Sequence, residues 1–298
     1  MPSRRPTSGA RVQAGGRLER NAYRPDARDV ESGLPGEPTA PAAVDRNFTG
    51  ASGSAGLHVD LGGRAAMVVN VSRSYRAPAL EELYNFGPHT GNLAFEIGNS
   101  SLKNEASTGL DVSLRSRAAR VRGELNAYYY RIGNFVFPDF TGDIIDGLRA
   151  AVYEQGDSRF AGVDFTGRLE LAKNAWVNVN AGYVNAELVN TGTPLPRIPP
   201  LHASLDLDVP IGPFTISPDI HIGAAQKRVY VGETTTDGST VVGLGVSYAV
   251  TRAHVTHLIT FRGDNLTNET YRSHTSFIKD LAPEMGRGVK VSYSVRFF

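Results

Sequence analysis

The chain has 298 residues, with 31 basic and 30 acidic side chains, a formal net charge of +1 and no cysteine. A balanced charge removes the bulk electrostatic case for nucleic acid as a partner, and the lack of cysteine removes disulfides and thiolate metal sites. No run of about 18 apolar residues is present, so a helical membrane protein is excluded, whereas a composition of 41% hydrophobic and 20% charged residues suits a soluble β domain and a β-barrel alike, because a barrel strand is half polar.

In chain order, Met1-Pro2-Ser3-Arg4-Arg5-Pro6 carries basic residues with no apolar stretch behind it. It does not read as a signal peptide, and the chain is expected to be a fragment. Twelve strands follow, over 10–22, 45–61, 63–75, 104–117, 119–133, 149–172, 174–189, 200–210, 213–226, 239–250, 253–262 and 286–298. The segment 23–44 reads as a mobile loop from its Pro, Gly, Ala and Asp. Several strands alternate with period two. Leu110, Val112 and Leu114 interleave with Asp111, Ser113 and Arg115, and Val163, Phe165, Leu169 and Leu171 with Asp164, Thr166, Arg168 and Glu170. The last strand sets Val289, Val291, Tyr293, Val295 and Phe297 on one face and Lys290, Ser292, Ser294 and Arg296 on the other.

The connections alternate as well. Long ones fall near 23–44, 76–103, 134–148, 190–199, 227–238 and 263–285. Short ones fall at Leu61-Gly62-Gly63, Arg117-Ala118, Lys173-Asn174, Val209-Pro210-Ile211-Gly212-Pro213 and Val250-Thr251-Arg252. Outer-membrane barrels place short turns in the periplasm and long loops outside, and a tilted membrane strand needs about 9–11 residues. The expected fold is therefore all-β, an antiparallel up-and-down transmembrane barrel of about twelve strands. Tyr23, Tyr75, Tyr84, Phe86, Tyr128, Tyr129, Tyr130, Phe135, Phe137 and Tyr230 lie near strand ends, where an aromatic girdle is expected.

Two blocks carry a family resemblance. Ser72-Arg73-Ser74-Tyr75-Arg76-Ala77-Pro78-Ala79-Leu80-Glu81-Glu82-Leu83-Tyr84, followed by Asn99-Ser100-Ser101-Leu102-Lys103-Asn104-Glu105, is similar to a segment of TonB-dependent outer-membrane receptors. Phe261-Arg262-Gly263-Asp264-Asn265-Leu266-Thr267-Asn268-Glu269-Thr270-Tyr271 resembles that family's "N-L-x-(N/D)-x-x-Y" block, and the terminal strand ending in phenylalanine is similar too. Gly87-Pro88-His89, Leu195-Pro196-Arg197-Ile198-Pro199-Pro200 and His274-Thr275-Ser276-Phe277-Ile278-Lys279-Asp280 resemble the branch containing zinc-uptake receptors. The resemblance implies the C-terminal part of a barrel of about 22 strands, in the bacterial outer membrane, whose parent imports a scarce metal ion or metal chelate, zinc or an iron chelate, with no resident cofactor. It implies outer-membrane lipid around the barrel, the barrel-assembly machinery reading Tyr293, Phe297 and Phe298, and TonB acting through a plug domain that this chain lacks. Phe298 stands one residue past the apolar phase that ends at Phe297.

Among the histidines, His254 and His257 are three apart on an expected strand, so they face opposite sides and do not share an ion. His58, His202 and His221 fall in strands and read as structural or solvated. His89 and His274 fall in outer loops and, with Glu96 or Asp280, are candidate ligands for a divalent cation such as zinc; simple hydrogen bonding is the alternative. No Gly-x-Ser-x-Gly elbow or paired-carboxylate motif supports an enzyme. By parity the lumen holds Arg115, Arg117, Arg120, Arg122, Glu124, Asn126, Arg168, Glu170, Lys290 and Arg296. A self-closed barrel acting as a passive pore or scaffold, and a soluble β-rich binding domain, are the competing readings.

Overall fold

The structure, a computed structural model, describes residues 9–26 and 39–298. The amino-terminal hexapeptide and most of the loop expected over 23–44 lie outside the described residues. Fourteen strands and one short helix follow in order: β1 (Ala10–Tyr23), β2 (Arg46–Gly62), β3 (Ala65–Arg76), α1 (Leu80–Tyr84), β4 (Phe86–His89), β5 (Ala94–Ile97), β6 (Glu105–Arg117), β7 (Val121–Ile145), β8 (Leu148–Ala172), β9 (Ala175–Leu188), β10 (His202–Ile211), β11 (Phe214–Gly223), β12 (Ser239–Arg252), β13 (Val255–Asp264) and β14 (Gly288–Phe297). Twelve of the strands form one antiparallel meander, β1-β2-β3-β6-β7-β8-β9-β10-β11-β12-β13-β14, and β4 and β5 attach to it as a side hairpin. These are the twelve strands that the alternation marks out. Among the described residues no ladder joins β1 to β14, so each presents an unpaired edge. The self-closed barrel requires that missing ladder.

Five of the connections, of two or three residues each, lie together at one end of the meander. Four of them reverse the chain tightly because residues there take positive φ: Gly62, Gly63 and Arg64, then Asn174, Gly212 and Ala253. The last of these sits at Ala253-His254 rather than at 250–252, since β12 runs on to Arg252. The opposite end carries the long connections, with two departures from expectation. The loop expected over 134–148 is strand, because β7 and β8 continue as a ladder past two register shifts, to Ile145↔Leu148. The loop expected over 76–103 contains α1, β4 and β5, and β5 pairs in parallel with β8, from Ala94↔Arg149 to Ile97↔Val152. Both segments have local sequences too short and mixed to show a period. The partner of β5 lies 55 residues on in β8, whereas the β7–β8 extension is a local hairpin closed at Asp146-Gly147.

Directly paired residues of neighbouring strands share a face, so the register draws the two surfaces of the sheet. Leu114, Leu125, Phe165, Ala181, Ala203 and Ile222 form one row of the apolar face, and Val246, Phe261 and Val291 another. Large side chains on this face, Leu169, Leu205, Phe261 and Val291 among them, stand exposed, as a lipid-facing surface requires. Arg115, Glu124, Thr166, Asn180, Ser204 and His221 form a row of the opposite, polar face.

Most of the aromatics expected in a girdle do something else. Tyr23, Tyr75 and Tyr84 pack around buried Phe48, Leu83, Leu102 and Val136, and Phe135, Phe137 and Tyr230 pack with Ala186, Leu195 and Phe160. These two clusters form small cores at the long-loop end. Tyr128 and Tyr130 lie on the polar face over their cross-strand partners Gly162 and Gly109. A Cβ at Gly109 would stand 2.2 Å from the Tyr130 ring, and one at Gly162 2.3 Å from that of Tyr128. Each glycine is the space its tyrosine fills. Tyr129, one residue out of phase, reaches the apolar face.

Candidate functional site

At the short-turn end of the polar face the wall is basic. Arg117, Arg122 and Arg168 follow one another across three strands, an arrangement that like-charge repulsion disfavours. The indole of Trp176 relieves part of it, with the Arg168 guanidinium 4.4 Å and that of Arg122 5.8 Å from the ring centre. Glu170 lies opposite Trp176 and 4.0 Å from Arg120, and Arg115 pairs with Glu124 at 2.9 Å. Arg115, Arg117, Arg122, Glu124 and Arg168, with Asn126, Asp164 and Thr166, line a groove of about 640 Å³. Farther along, Arg262 donates to buried Asp219 and to Asp264, Lys290 lies 3.7 Å from Asp264, and Arg296 sits opposite Thr256.

At the other end the long connections form a crown held by ion pairs and backbone bonds. Arg159 and Arg228 both donate to Glu187, whose side chain is almost wholly buried, and Arg228 also reaches Asn185 and the Gly192 carbonyl. Glu233 accepts from the Arg197 N–H at 2.9 Å and the Tyr230 N–H at 3.2 Å. Tyr230 donates its hydroxyl to Asp139 at 2.8 Å. Burial and that hydrogen bond push the Tyr230 phenol above its ordinary range. Two loops, 189–201 and 224–238, and the β7–β8 hairpin are thereby tied together.

The candidate metal ligands fall in two separate parts of this crown. Glu96 on β5, only 4% exposed, accepts from Asn85 at 3.1 Å and from Asn92, and His89 Nδ1 stands 3.6 Å away. His274, 3% exposed, shares a hydrogen bond with Thr236 Oγ1 at 2.8 Å, and its Nε2 is 3.9 Å from Glu233. Burial strips the water that would solvate an imidazolium and holds the His274 pKa below its ordinary value, Glu233 opposing. Asp280 accepts from Thr234 Oγ1 at 2.7 Å and lies 3.8 Å from the Lys279 ammonium, which donates to the Thr234 carbonyl at 2.6 Å. Among the described residues no three His, Cys, Asp or Glu side chains converge to hold a metal ion.

Beneath the crown a cavity of about 430 Å³ opens on the polar face, and His202, His221 and His274 all line it, with Asp237 and Tyr271. Sequence reasoning set His202 and His221 aside as lone strand histidines. The signal that identifies them is parity: His202 precedes Ser204 by two residues, and Ser204 pairs with His221, so both rings share the polar face. His254 belongs to a turn and lies edge-on to the Phe298 ring, whereas His257 on β13 stacks on Tyr293 and meets its hydroxyl at 2.7 Å. In β14, Tyr293 and Phe297 point to the apolar side. Phe298 lies past the strand but still donates its N–H to the His254 carbonyl at 3.0 Å.

Residues 5–267 match a family model described as TonB dependent receptor-like, beta-barrel. Three solved structures are similar in fold. The copper transporter OprC is 22% identical with a TM-score of 0.81, over 97% of this chain and 45% of that one. The FrpB iron transporter from Neisseria meningitidis (F3-3 variant) is 10% identical with a TM-score of 0.69, over 97% and 43%. BauA, the ferric preacinetobactin receptor from Acinetobacter baumannii, is 14% identical with a TM-score of 0.66, over 96% and 40%. The chain thus spans less than half the length of each of these proteins.

Proposed function

The chain belongs to the TonB-dependent receptor-like β-barrel family, transport receptors of the bacterial outer membrane, and on that premise we propose that it forms part of the wall of a receptor importing a scarce metal ion or metal chelate. The observation that carries the metal is the cavity beneath the crown, where three of the chain's seven histidines meet on the polar face. Imidazole suits zinc, copper, iron and nickel. The cross-linked crown supports capture from outside, and the continuous polar face below it supports an aqueous path. His89 and Asp280, both well exposed, are the crown residues that first meet the ligand in this reading, with buried Glu96 and His274 behind them.

The basic row Arg117-Arg122-Arg168 supports a second element of the proposal. Three guanidiniums side by side are a surface that awaits acceptors, and a plug domain inside the barrel supplies them through hydrogen bonds and ion pairs. TonB delivers energy through that plug, and the assembly machinery engages β14 through Tyr293, Phe297 and Phe298. The unpaired edges of β1 and β14 favour a barrel completed by further strands over self-closure, because lipid cannot satisfy open backbone groups.

Uptake tests the reading. Cells producing the receptor are grown with zinc, copper or an iron chelate limiting in turn, and cell-associated metal is measured by mass spectrometry. The expected result is accumulation of one metal that stops when the proton-motive force is dissipated. Accumulation that survives dissipation would support a passive pore, and accumulation of none would end the metal reading.

A further inference from the structure

We propose that His202 and Asp164, facing each other across Gly182, form an open two-donor site on the barrel wall for a borderline divalent cation such as zinc or copper(II). The proposal rests on the metal-import reading above and places a stopping point on the path that it describes. The register sets Asp164 opposite Gly182 on β8 and β9, and Gly182 opposite His202 on β9 and β10, so the three form one row of the polar face.

Gly182 has no side chain between its neighbours, and both lean over it. The position a Cβ would take at Gly182 is 2.8 Å from His202 Nε2 and 2.9 Å from Asp164 Oδ1. Zinc binds imidazole nitrogen at about 2.0–2.1 Å and carboxylate oxygen at about 2.0–2.2 Å. The two donor atoms thus converge over the glycine from its two neighbouring strands, and side-chain rotation brings both to one ion on the polar side of that point. A side chain at this position would push the two donors apart.

The donor chemistry is set. His202 Nδ1 lies 3.2 Å from the Pro200 carbonyl. A carbonyl accepts only, so Nδ1 carries the proton and Nε2 keeps its lone pair, the tautomer that a metal needs and the outer bond that orients metal-bound histidines. Among the described residues Asp164 makes no hydrogen bond or ion pair of its own. The next histidine, His221, is one row away with its Nε2 3.3 Å from Asp219, a carboxylate already held by Arg262. The site thus has two protein donors and keeps coordination positions for water or for a chelator's own atoms. Two ligands bind weakly enough to release, which suits transit rather than storage. The location agrees: His202 lines the cavity beneath the crown and Asp164 lines the basic groove, so the pair stands where the two meet.

Copper(II) is the probe, titrated into the tag-free full chain in detergent micelles and followed by electron paramagnetic resonance with nitrogen coupling. The expected result is one bound ion coupled to a single imidazole. It should be lost in His202→Gln, weakened at least tenfold in Asp164→Asn, lost in Gly182→Ala, which keeps both donors but pushes them apart, and kept in His221→Gln. A β-sheet circular dichroism spectrum equal to that of the unaltered chain confirms that each variant is folded. A signal that survives His202→Gln, or one lost with His221→Gln and not with Gly182→Ala, overturns the site. Binding on purified protein is independent of uptake. An intact site without metal accumulation refutes the import reading alone, and accumulation with unaltered binding in His202→Gln refutes the site alone.

Discussion

Gly98 offers a sharp test of how the crown is built. It follows β5, and its N–H donates to the Asn85 carbonyl while the neighbouring Asn99 N–H donates to that of Glu82. Its φ lies outside the left-handed region, so glycine is required here for space alone. A Cβ at this position would stand 2.6 Å from the Leu83 carbonyl carbon, 2.6 Å from the Tyr84 nitrogen and 2.7 Å from the Asn85 nitrogen. All three are backbone atoms at the end of α1. They cannot rotate away as a side-chain tip would, so Gly98→Ala must push the helix end outward by close to an ångström. Overpacking of this kind costs about 1–3 kcal/mol, and α1 carries Leu83, which is fully buried against Phe48, Leu102 and Val136. Taking about 2 kcal/mol, the population with this loop open rises about 30-fold. Proteolysis reads that population when reclosing is faster than cleavage. In limited trypsin digestion, with sites mapped by mass spectrometry, cleavage after Lys103 should accelerate about 30-fold in Gly98→Ala, while cleavage in the 265–287 loop stays unchanged. An unaltered rate at Lys103, or equal acceleration in both loops, would refute the steric argument.

Three further outcomes are expected. His274 is held neutral when buried, whereas an opened loop protonates it near its ordinary value of 6.5. The open form then binds more protons, so the closed crown has its full stability above about pH 6.5 and loses at most about 1.4 kcal/mol per pH unit below it; hydrogen-exchange protection factors of residues 265–287, corrected for the intrinsic exchange rate at each pH, should fall from pH 7.5 to 5.5, and His274→Asn should abolish that dependence. Glu187→Gln removes the carboxylate shared by Arg159 and Arg228, which are about half exposed, and should loosen the 190–201 and 224–238 connections by about 1–2 kcal/mol, seen as faster tryptic cleavage at Lys227 and Arg228 and contradicted by an unchanged rate. Val291→Lys puts a charge on the lipid face of β14 at a cost of about 2–4 kcal/mol, whereas Ser292→Lys faces the polar side; β-sheet content in micelles, read by circular dichroism, should fall in the first variant only, and equal behaviour would show that the faces are misassigned.

Much of the architecture was legible in the sequence because side-chain direction along a strand is a local property. Period two in 104–117, 149–172 and 286–298 gave the two faces, and the alternation of long and short connections gave the up-and-down order. That same parity placed Arg115, Glu124, Arg168 and Lys290 on a single surface, where the register also has them. The aromatics were read less well. Position near a strand end does not say which way a ring points, and Tyr128 and Tyr130 turn inward because Gly162 and Gly109 leave room.

The sequence by itself determined how many strands cross, which face of each meets lipid and which end carries the loops, since these follow from alternation and turn chemistry within about twenty residues. Only the tertiary structure decided what meets across strands: β5 beside β8, Glu233 between two loops and His274, and Asp164 facing His202 over Gly182. Such meetings depend on register, and register is fixed by the cooperative pairing of whole strands. A shift of one residue would keep every local pattern and turn each of these side chains to the opposite face.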